Sequence, residues 1–352
     1  MSTIEVTDQR EIDSCDKLRS ERISAILPQR HDSLVLAANI DREVSKLAQT
    51  GRFFMHSATC IDRGCGCNSN SSVLTTAFAR AVHKYADVPI FAVCNDLYAE
   101  MFTPLAARLT TSNLAARYIT YQMSCDSFVR QLAPPQSVDM VFSNAVVHWL
   151  DAGEMQRPGK SGDCSLSSVA ALQWSQLLKS VENELKGGGK LVISFIAARD
   201  AWHQIHHSPL ILLERAIGEV FHLHPSNFAE LGNPLPIYLR TEEEIKAPFL
   251  AVGSRLHLDI CRLESVDCPF VPLLLNGETE QYATAYTNFI RAFSELALRR
   301  WLETSGVVRR APKEELDGRV AQVYNNIRTR ILLSPQEWTM QKCRATLVAT
   351  RL

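Results

Sequence analysis

From residue 58 onward the sequence alternates strand-like apolar runs with amphipathic helical ones, and this rhythm constrains the fold more than any other feature. ATCIDRG (58–64) reads as a strand and VLTTAFARAVHKYA (73–86) as a helix. PIFAVCND (89–96) is a second strand, MFTPLAARLTT (101–111) a second helix, and ITYQMS (119–124) a third strand. VDMVFSNA (138–145) is apolar enough for a strand buried on both faces. SVAALQWSQLLKSVENELK (168–186) is a long amphipathic helix, with Gly187, Gly188 and Gly189 placed to supply a left-handed C-cap. GKLVISFIA (189–197) is the strand that follows. Strands alternating with helices predict an α/β fold, a mostly parallel sheet with helices on both faces.

The rhythm breaks on either side of this stretch. The first 56 residues predict a mostly helical lead-in, clearest at ANIDREVSKLAQ (38–49). Residues 201–251 read as helices and loops, including GNPLPIY and then TEEEIKAPF, where Thr241 and Glu244 fit a capping box. RLHLDICRLES (255–265) restores a strand, helices are expected from about Thr279 to Ile331, and CRATLVATRL (343–352) reads as a last strand. The expected division is a sheet domain over 1–200, completed by strands near 255–265 and 343–352. Helical segments 201–251 and 267–342 would form a substrate region. A cap over the sheet's C-terminal edge is expected, where open α/β folds bind ligands.

Composition narrows the functional classes. The 352-residue chain is 46% hydrophobic and 21% charged with formal net charge -1, so no basic surplus argues for nucleic acid. Its longest apolar runs fall short of the roughly 20 residues of a membrane span. The polar start MSTIEVTDQREIDSCD lacks a signal-peptide pattern. The ten cysteines then read as reduced thiols, with a cytoplasmic setting as the default. Cys60, Cys65 and Cys67 are separated by four and by one intervening residues, which departs from zinc-ligand spacing. His203, His206 and His207 lack a nearby acidic partner and read as a solvated helix face. No metal is expected.

The segment CIDRGCGCNSNSS (60–72) sits between a strand and a helix. Gly64 and Gly66 permit a tight turn and close backbone approach. Asp62 closes the first strand with a carboxylate, and Asp96 closes the second in VCNDL, where an acid can accept hydrogen bonds from both ribose hydroxyls. Gly-x-Gly serves equally well as a plain strand–helix turn. The dinucleotide fingerprint fails at Ser69, which favours S-adenosylmethionine over NAD.

QSVDMVFSNAVVHWLD (136–151) resembles the plant-type carboxyl methyltransferases of the SABATH family, matching at Ser137, Val138, Asp139, Ser143 and Trp149. The order of further matches is similar over roughly residues 28 to 352. CIDRGCGCNSNS matches the family loop at Asp62, Gly64, Cys65 and Asn70, and NDLYAEMF matches at Asn95, Asp96, Leu97 and Phe102. DSFVRQLAP aligns Ser127 and Phe128, and LGNPLPIYLRTEEEI resembles the family's Asn-x-Pro-x-Tyr segment.

The resemblance implies a Rossmann-like class I methyltransferase sheet with a helical cap, using S-adenosyl-L-methionine on a small-molecule substrate. Carried over, Asp62, Gly64 and Asn70 would line the cofactor loop. Asp96 would take the ribose hydroxyls, and Leu97, Ser127 and Phe128 would bracket the adenine. Ser143 would sit near the methionine part, and Trp149 would hold the substrate carboxylate, with His148 beside it. A homodimer is compatible with this reading.

Several positions depart from the family pattern. Pro28 stands for its tyrosine, His31 for its asparagine, Val35 for the glutamine that clamps the substrate, and Ala145 for a second tyrosine, while Asn68-Ser69 replaces the loop Gly-Pro. Three functions stay open: a carboxyl methyltransferase, an enzyme acting on a nitrogen, hydroxyl or phenol with His148 as base, and a non-catalytic binding protein on the same scaffold. For a carboxylate acceptor no base is needed, because the group is already ionised at neutral pH.

Overall fold

The computed structural model describes residues 32–65, 72–96, 118–124, 129–150, 166–200, 208–224, 234–308, 312–339 and 341–352. In chain order the elements are α1 (residues 32–49), β1 (Ala58–Arg63), α2 (Val73–His83), β2 (Ile90–Asp96), β3 (Tyr118–Ser124), β4 (Val138–Asn144), α3 (Leu166–Glu184) and β5 (Leu185–Ala197). They continue with α4 (Ser208–Phe221), α5 (Glu242–Leu250), β6 (Leu256–Asp267), α6 (Val271–Leu275), α7 (Thr279–Ser305), α8 (Lys313–Leu333) and β7 (Gln341–Arg351). The expected helix at 101–111 lies outside the described residues.

The seven strands form one sheet in the order β3-β2-β1-β4-β5-β7-β6. β3, β2, β1, β4 and β5 run parallel, and β7 enters antiparallel to β5. The order reverses between β1 and β4, so the connections leave the sheet in opposite directions there and open a crevice beyond the strands' C-terminal ends.

Two apolar layers sandwich the sheet, as parallel strands buried on both faces require. Leu36, Ile40 and Val44 of α1 and Phe78 of α2 pack with Cys60, Met140, Phe142 and Val192 on one face. Trp174, Leu177 and Val181 of α3 and Ile245 and Phe249 of α5 pack with Ile61, Val141, Leu191 and Ile193 on the other. The expected capping box is present: Thr241 N donates to Glu244 Oε2 (2.8 Å) and Glu244 N to Thr241 Oγ1 (3.4 Å).

The chain clusters into two units. The sheet unit comprises Gln29–Ile205, Pro236–Val266 and Gln341–Leu352, so α5, expected with the helical material, clusters with the sheet. The other contains His206–Leu235 and Asp267–Met340. In it α8 packs against both α4 and α7, with the Tyr324 and Ser294 hydroxyls 2.9 Å apart between α8 and α7.

One expectation is corrected. Gly187–Gly189 do not cap α3, which ends at Glu184 and passes directly into β5. Val138 pairs with Leu185, whereas Met140 pairs with Lys190, so β5 carries extra residues there. Gly188 takes up this bulge at φ +85°, and a Cβ on Gly189 would lie 2.9 Å from Lys186 O. The glycines serve the strand's register, which helical periodicity cannot reveal.

Charged groups staple the sheet to its helices. Arg63, at the end of β1, donates through Nη2 to both Glu184 oxygens (2.8 and 2.7 Å) and through Nη1 to Arg130 O (2.9 Å). Both side chains are almost fully buried, at 1% and 0% exposure. Leu132 N also donates to Glu184. Nearby, Asp139 of β4 accepts from Thr59 N and from Lys186 Nζ, both at 2.7 Å. Removing one partner of a buried pair costs about 3–5 kcal/mol, because the other charge stays buried alone. Glu184→Ala should lose that much in urea unfolding, and Arg63→Met/Glu184→Met should recover a large part of it. Equal loss in single and double variants would show that shape, not charge, matters at this position.

Candidate active site

The crevice at the sheet reversal gathers the ends of β1, β2 and β4. Asp62 is the penultimate residue of β1 and is 2% exposed. Thr75 Oγ1, from α2, donates to its Oδ2 at 3.2 Å. Burial lifts the Asp62 carboxyl to about 8, the Thr75 bond pulls it down, and the nearby Asp96 carboxylate adds to the rise. Asp96 is the last residue of β2 and is half-buried, so the two acids face a common mouth.

Gly64 turns the chain out of β1 at φ +71°, a conformation that favours glycine. A Cβ there would lie 2.2 Å from Val146 Cγ2. The space is therefore filled by the segment that follows β4. Asn95 O accepts from both Gly64 N (2.8 Å) and Cys65 N (2.9 Å). These two amides lock the start of the loop to β2 and are not available to a ligand. Cys60 on β1, Cys94 on β2 and Cys65 just past the Gly64 turn are buried free thiols, and burial pushes Cys60 up. The neighbouring Cys94 thiol does the same to Cys65 through a side-chain hydrogen bond. Among the described residues no group of three or more His, Cys, Asp or Glu is arranged to hold a metal ion.

Ser143, near the end of β4, is buried and donates to Arg63 O at 2.8 Å, joining the two strands that border the crevice. β4 ends at Asn144, and Ala145 turns the chain at φ +58°. Trp149 lies in the turn beyond β4 and forms an isolated antiparallel bridge with Ile237. Its ring lies 6.0 Å from that of buried His148. Tyr238 N donates to His148 O (2.8 Å), Leu150 N to Pro236 O (2.6 Å), and Arg240 Nη1 to Val147 O (2.6 Å). Segment 236–240 thus holds the turn that carries both residues.

At the same end of the sheet the sequence reading missed a buried ionic group. Lys342 Nζ and Arg344 Nη1, from the start of β7, donate to Asp32 Oδ2 (2.5 Å) and Oδ1 (3.0 Å) in the first turn of α1. Arg344 also reaches Glu264 at 2.7 Å. With Asn144, Ala145 and Ser194 they line a cavity of about 10 Å³, room for a single water. The available signal was the i, i+2 placement of two cations at the start of a strand whose middle is apolar. Val35 is half-buried on α1, one turn after Asp32. Asn70, Leu97, Ser127, Phe128, His31 and the cluster His203, His206, His207 lie outside the described residues, as do Gly66 and Cys67.

No family model matches the chain. Methyltransferase FUS9 of Gibberella fujikuroi (strain CBS 195.34 / IMI 58289 / NRRL A-6831) is 28% identical over 125 residues, 34% of each chain. Methyltransferase LUC1 of Fusarium sp is 38% identical over 71 residues, 20% of each chain. The matched stretches thus span about a third or less of these curated relatives. The solved structure of loganic acid methyltransferase with SAH superposes with TM-score 0.71 at 16% identity, covering 92% of this chain and 94% of that one. The chain has the Rossmann-like methyltransferase fold.

The raised Asp62 carboxyl has a measurable consequence. A carboxyl lifted in the folded state adds stability that is complete below its unfolded value, near 3.8, and is lost as pH climbs through about 8. Asp62→Asn should therefore gain stability over the parent, by up to about 1.4 kcal/mol per pH unit. The gap should open above pH 4 and level off near pH 8 in thermal melts of the ligand-free protein. A difference that stays flat over this range means Asp62 is ionised in the folded chain.

Proposed function

We propose that this chain is an S-adenosylmethionine-dependent methyltransferase of the SABATH type that methylates a carboxylic acid on oxygen. The observation that carries the reading is the pair of acids, Asp62 and Asp96, at adjacent strand ends beside the β1–β4 reversal. A buried carboxyl disfavoured as an anion is stabilised by a cationic ligand, and a strand-end acid suits a ribose diol. A cationic nucleoside has both groups. The methyltransferase relatives and the loganic acid methyltransferase fold support the same assignment.

S-adenosylmethionine would supply an electrophilic methyl group on a sulfonium. Asp96 would accept the ribose hydroxyls, and Asp62 would balance the ligand's positive charge. Asn70, Leu97, Ser127 and Phe128 would complete the cofactor site as the family resemblance implies. Ser143 would stay committed to Arg63 O, fixing the crevice wall rather than donating to the ligand. The Trp149 indole N–H would hold the acceptor carboxylate.

That acceptor needs no general base, because its reference pKa lies near 4. The protein's contribution is alignment of the attacking oxygen and exclusion of water. Val35 offers no donor where the family has an amide, and Lys342 and Arg344 at the same sheet edge are already paired with Asp32 and Glu264, so the carboxylate would rest chiefly on Trp149.

Two substitutions separate the halves of the reading. Asp96→Ala should weaken S-adenosylmethionine binding by about 1.5–3 kcal/mol per charge-assisted bond lost. Calorimetry checks this, and unchanged affinity with intact circular dichroism removes the ribose role. Trp149→Phe should lower turnover on acids by about tenfold or more while cofactor affinity holds, since one hydrogen bond to a charged group is lost. Radiolabelled methyl transfer to a panel of acids, phenols and heterocyclic amines reads this out. Transfer confined to phenols or amines would replace the carboxyl reading and make His148, buried beside Trp149, the base to test.

A further inference from the structure

The turn after β4 is held at two places. Its far half, Val147 to Leu150, is gripped by segment 236–240. Its near half has other partners. Ala145 N donates to Ser194 O at 2.8 Å, and Asn144 Nδ2 donates to Ser33 Oγ at 3.0 Å. Among the described residues Ser33 is the single hydrogen-bond partner of the Asn144 side chain. Ala145 sits at φ +58°, a conformation that a Cβ disfavours, so the turn keeps its course only under restraint.

Ser33 is 2% exposed and lies in the first turn of α1, next to Asp32. Helix ends fray unless something fixes them. Here Asp32 does so, bridging Lys342 and Arg344 at the start of β7. Arg344 has Glu264 as a second acid, whereas among the described residues Lys342 pairs with Asp32 alone. The Lys342 side chain is 4% exposed. Without the Asp32 charge, Lys342 becomes a buried cation lacking an acid, and the first turn of α1 loses its tie to β7. The junction has little slack. Asp32, Asn144, Ala145 and Arg344 share the wall of the cavity of about 10 Å³, so one of them cannot shift without moving the others.

We propose that Asp32 is a positioning residue for the acceptor side of the crevice. Its pairs with Lys342 and Arg344 fix Ser33, Ser33 fixes Asn144, and Asn144 sets the turn that carries His148 and Trp149. The role in methyl transfer rests on the carboxyl methyltransferase reading, whereas the anchoring of the turn does not.

Hydrogen exchange and kinetics on the full chain test this. In Asp32→Asn, and in Asn144→Ala, which leaves the ionic group intact, the Ala145 and Trp149 amides should exchange at least about tenfold faster, as the loss of one supporting bond implies. The amides of β2, beyond β1, should keep their parent rates. Asp32→Asn/Lys342→Met removes both charges and leaves Arg344 with Glu264, so exchange in the turn should return to within about threefold of the parent. In transfer to an acid, kcat of each single variant should fall about tenfold with KM within about twofold, the mark of lost alignment rather than lost binding. Asn144→Ala added to Asp32→Asn should lower kcat little further, since both cut one line of contacts. Unchanged exchange at Ala145 and Trp149 in Asn144→Ala would overturn the proposal. So would acceleration in β2 as large as in the turn, or a parent-level kcat in a variant whose turn has loosened. A parent chain that methylates nothing would count against the methyltransferase reading instead, and the exchange rates would then decide the anchoring by themselves.

Discussion

The buried pair of Arg63 and Glu184 is the interaction on which the site depends. It joins the end of β1 to the end of α3 across 121 positions of sequence, and the backbone at Arg130 and Leu132 is fastened to the same pair. Ser143 of β4 then takes its bearing from the Arg63 carbonyl. The strand period sends successive side chains to opposite faces. Arg63 therefore points to the α3 side and Asp62 to the α2 side, where it meets Thr75. The only charge adjacent to Asp62 in sequence is spent on the other face of the sheet. Among the described residues no cation therefore acts on Asp62, while Arg63 and Glu184 balance each other on the opposite face.

The turn after β4 connects the crevice to the rest of the sheet unit. Val146 occupies the space that Gly64 leaves, so the loop after β1 and the turn bearing Trp149 are shaped against each other. Segment 236–240 grips that turn from outside with backbone bonds and Arg240. A side chain at position 64 would therefore disturb both the loop after β1 and the turn after β4. The small space between them leaves little slack for either to adjust alone.

Much of this architecture was legible because burial imposes period. β1, β2, β4 and α3 are nearly continuous apolar or amphipathic runs, and the capping box at Thr241 and Glu244 is a local pattern with a local cause. Asp62 and Asp96 were found because each acid interrupts an apolar strand at its end. The features that escaped are those set by partners distant in sequence. Gly187–Gly189 imitate a helix cap, but pairing with β4 decides their conformation. Arg63 and Glu184, or Lys342 with Asp32, carry no mutual signal in the sequence, since charged residues are usually on the surface. Trp149 was picked out by resemblance, while its bridge to Ile237 depends on a segment no periodicity connects to it.

The position of β7 has a consequence for how the molecule is made. β5 ends at Ala197, yet the strand that lies beside it begins at Gln341, after β6 and the long helices. At about 5–20 residues per second, a ribosome leaves the β5 edge without its neighbour for on the order of ten seconds. Throughout that interval an apolar strand offers unpaired amides and carbonyls to any other nascent chain. The same delay withholds Lys342 and Arg344 from Asp32, so the first turn of α1 gains its anchor only once β7 has been made. The sheet's last strand to be translated therefore sets the moment at which the chain ceases to be vulnerable to off-pathway pairing.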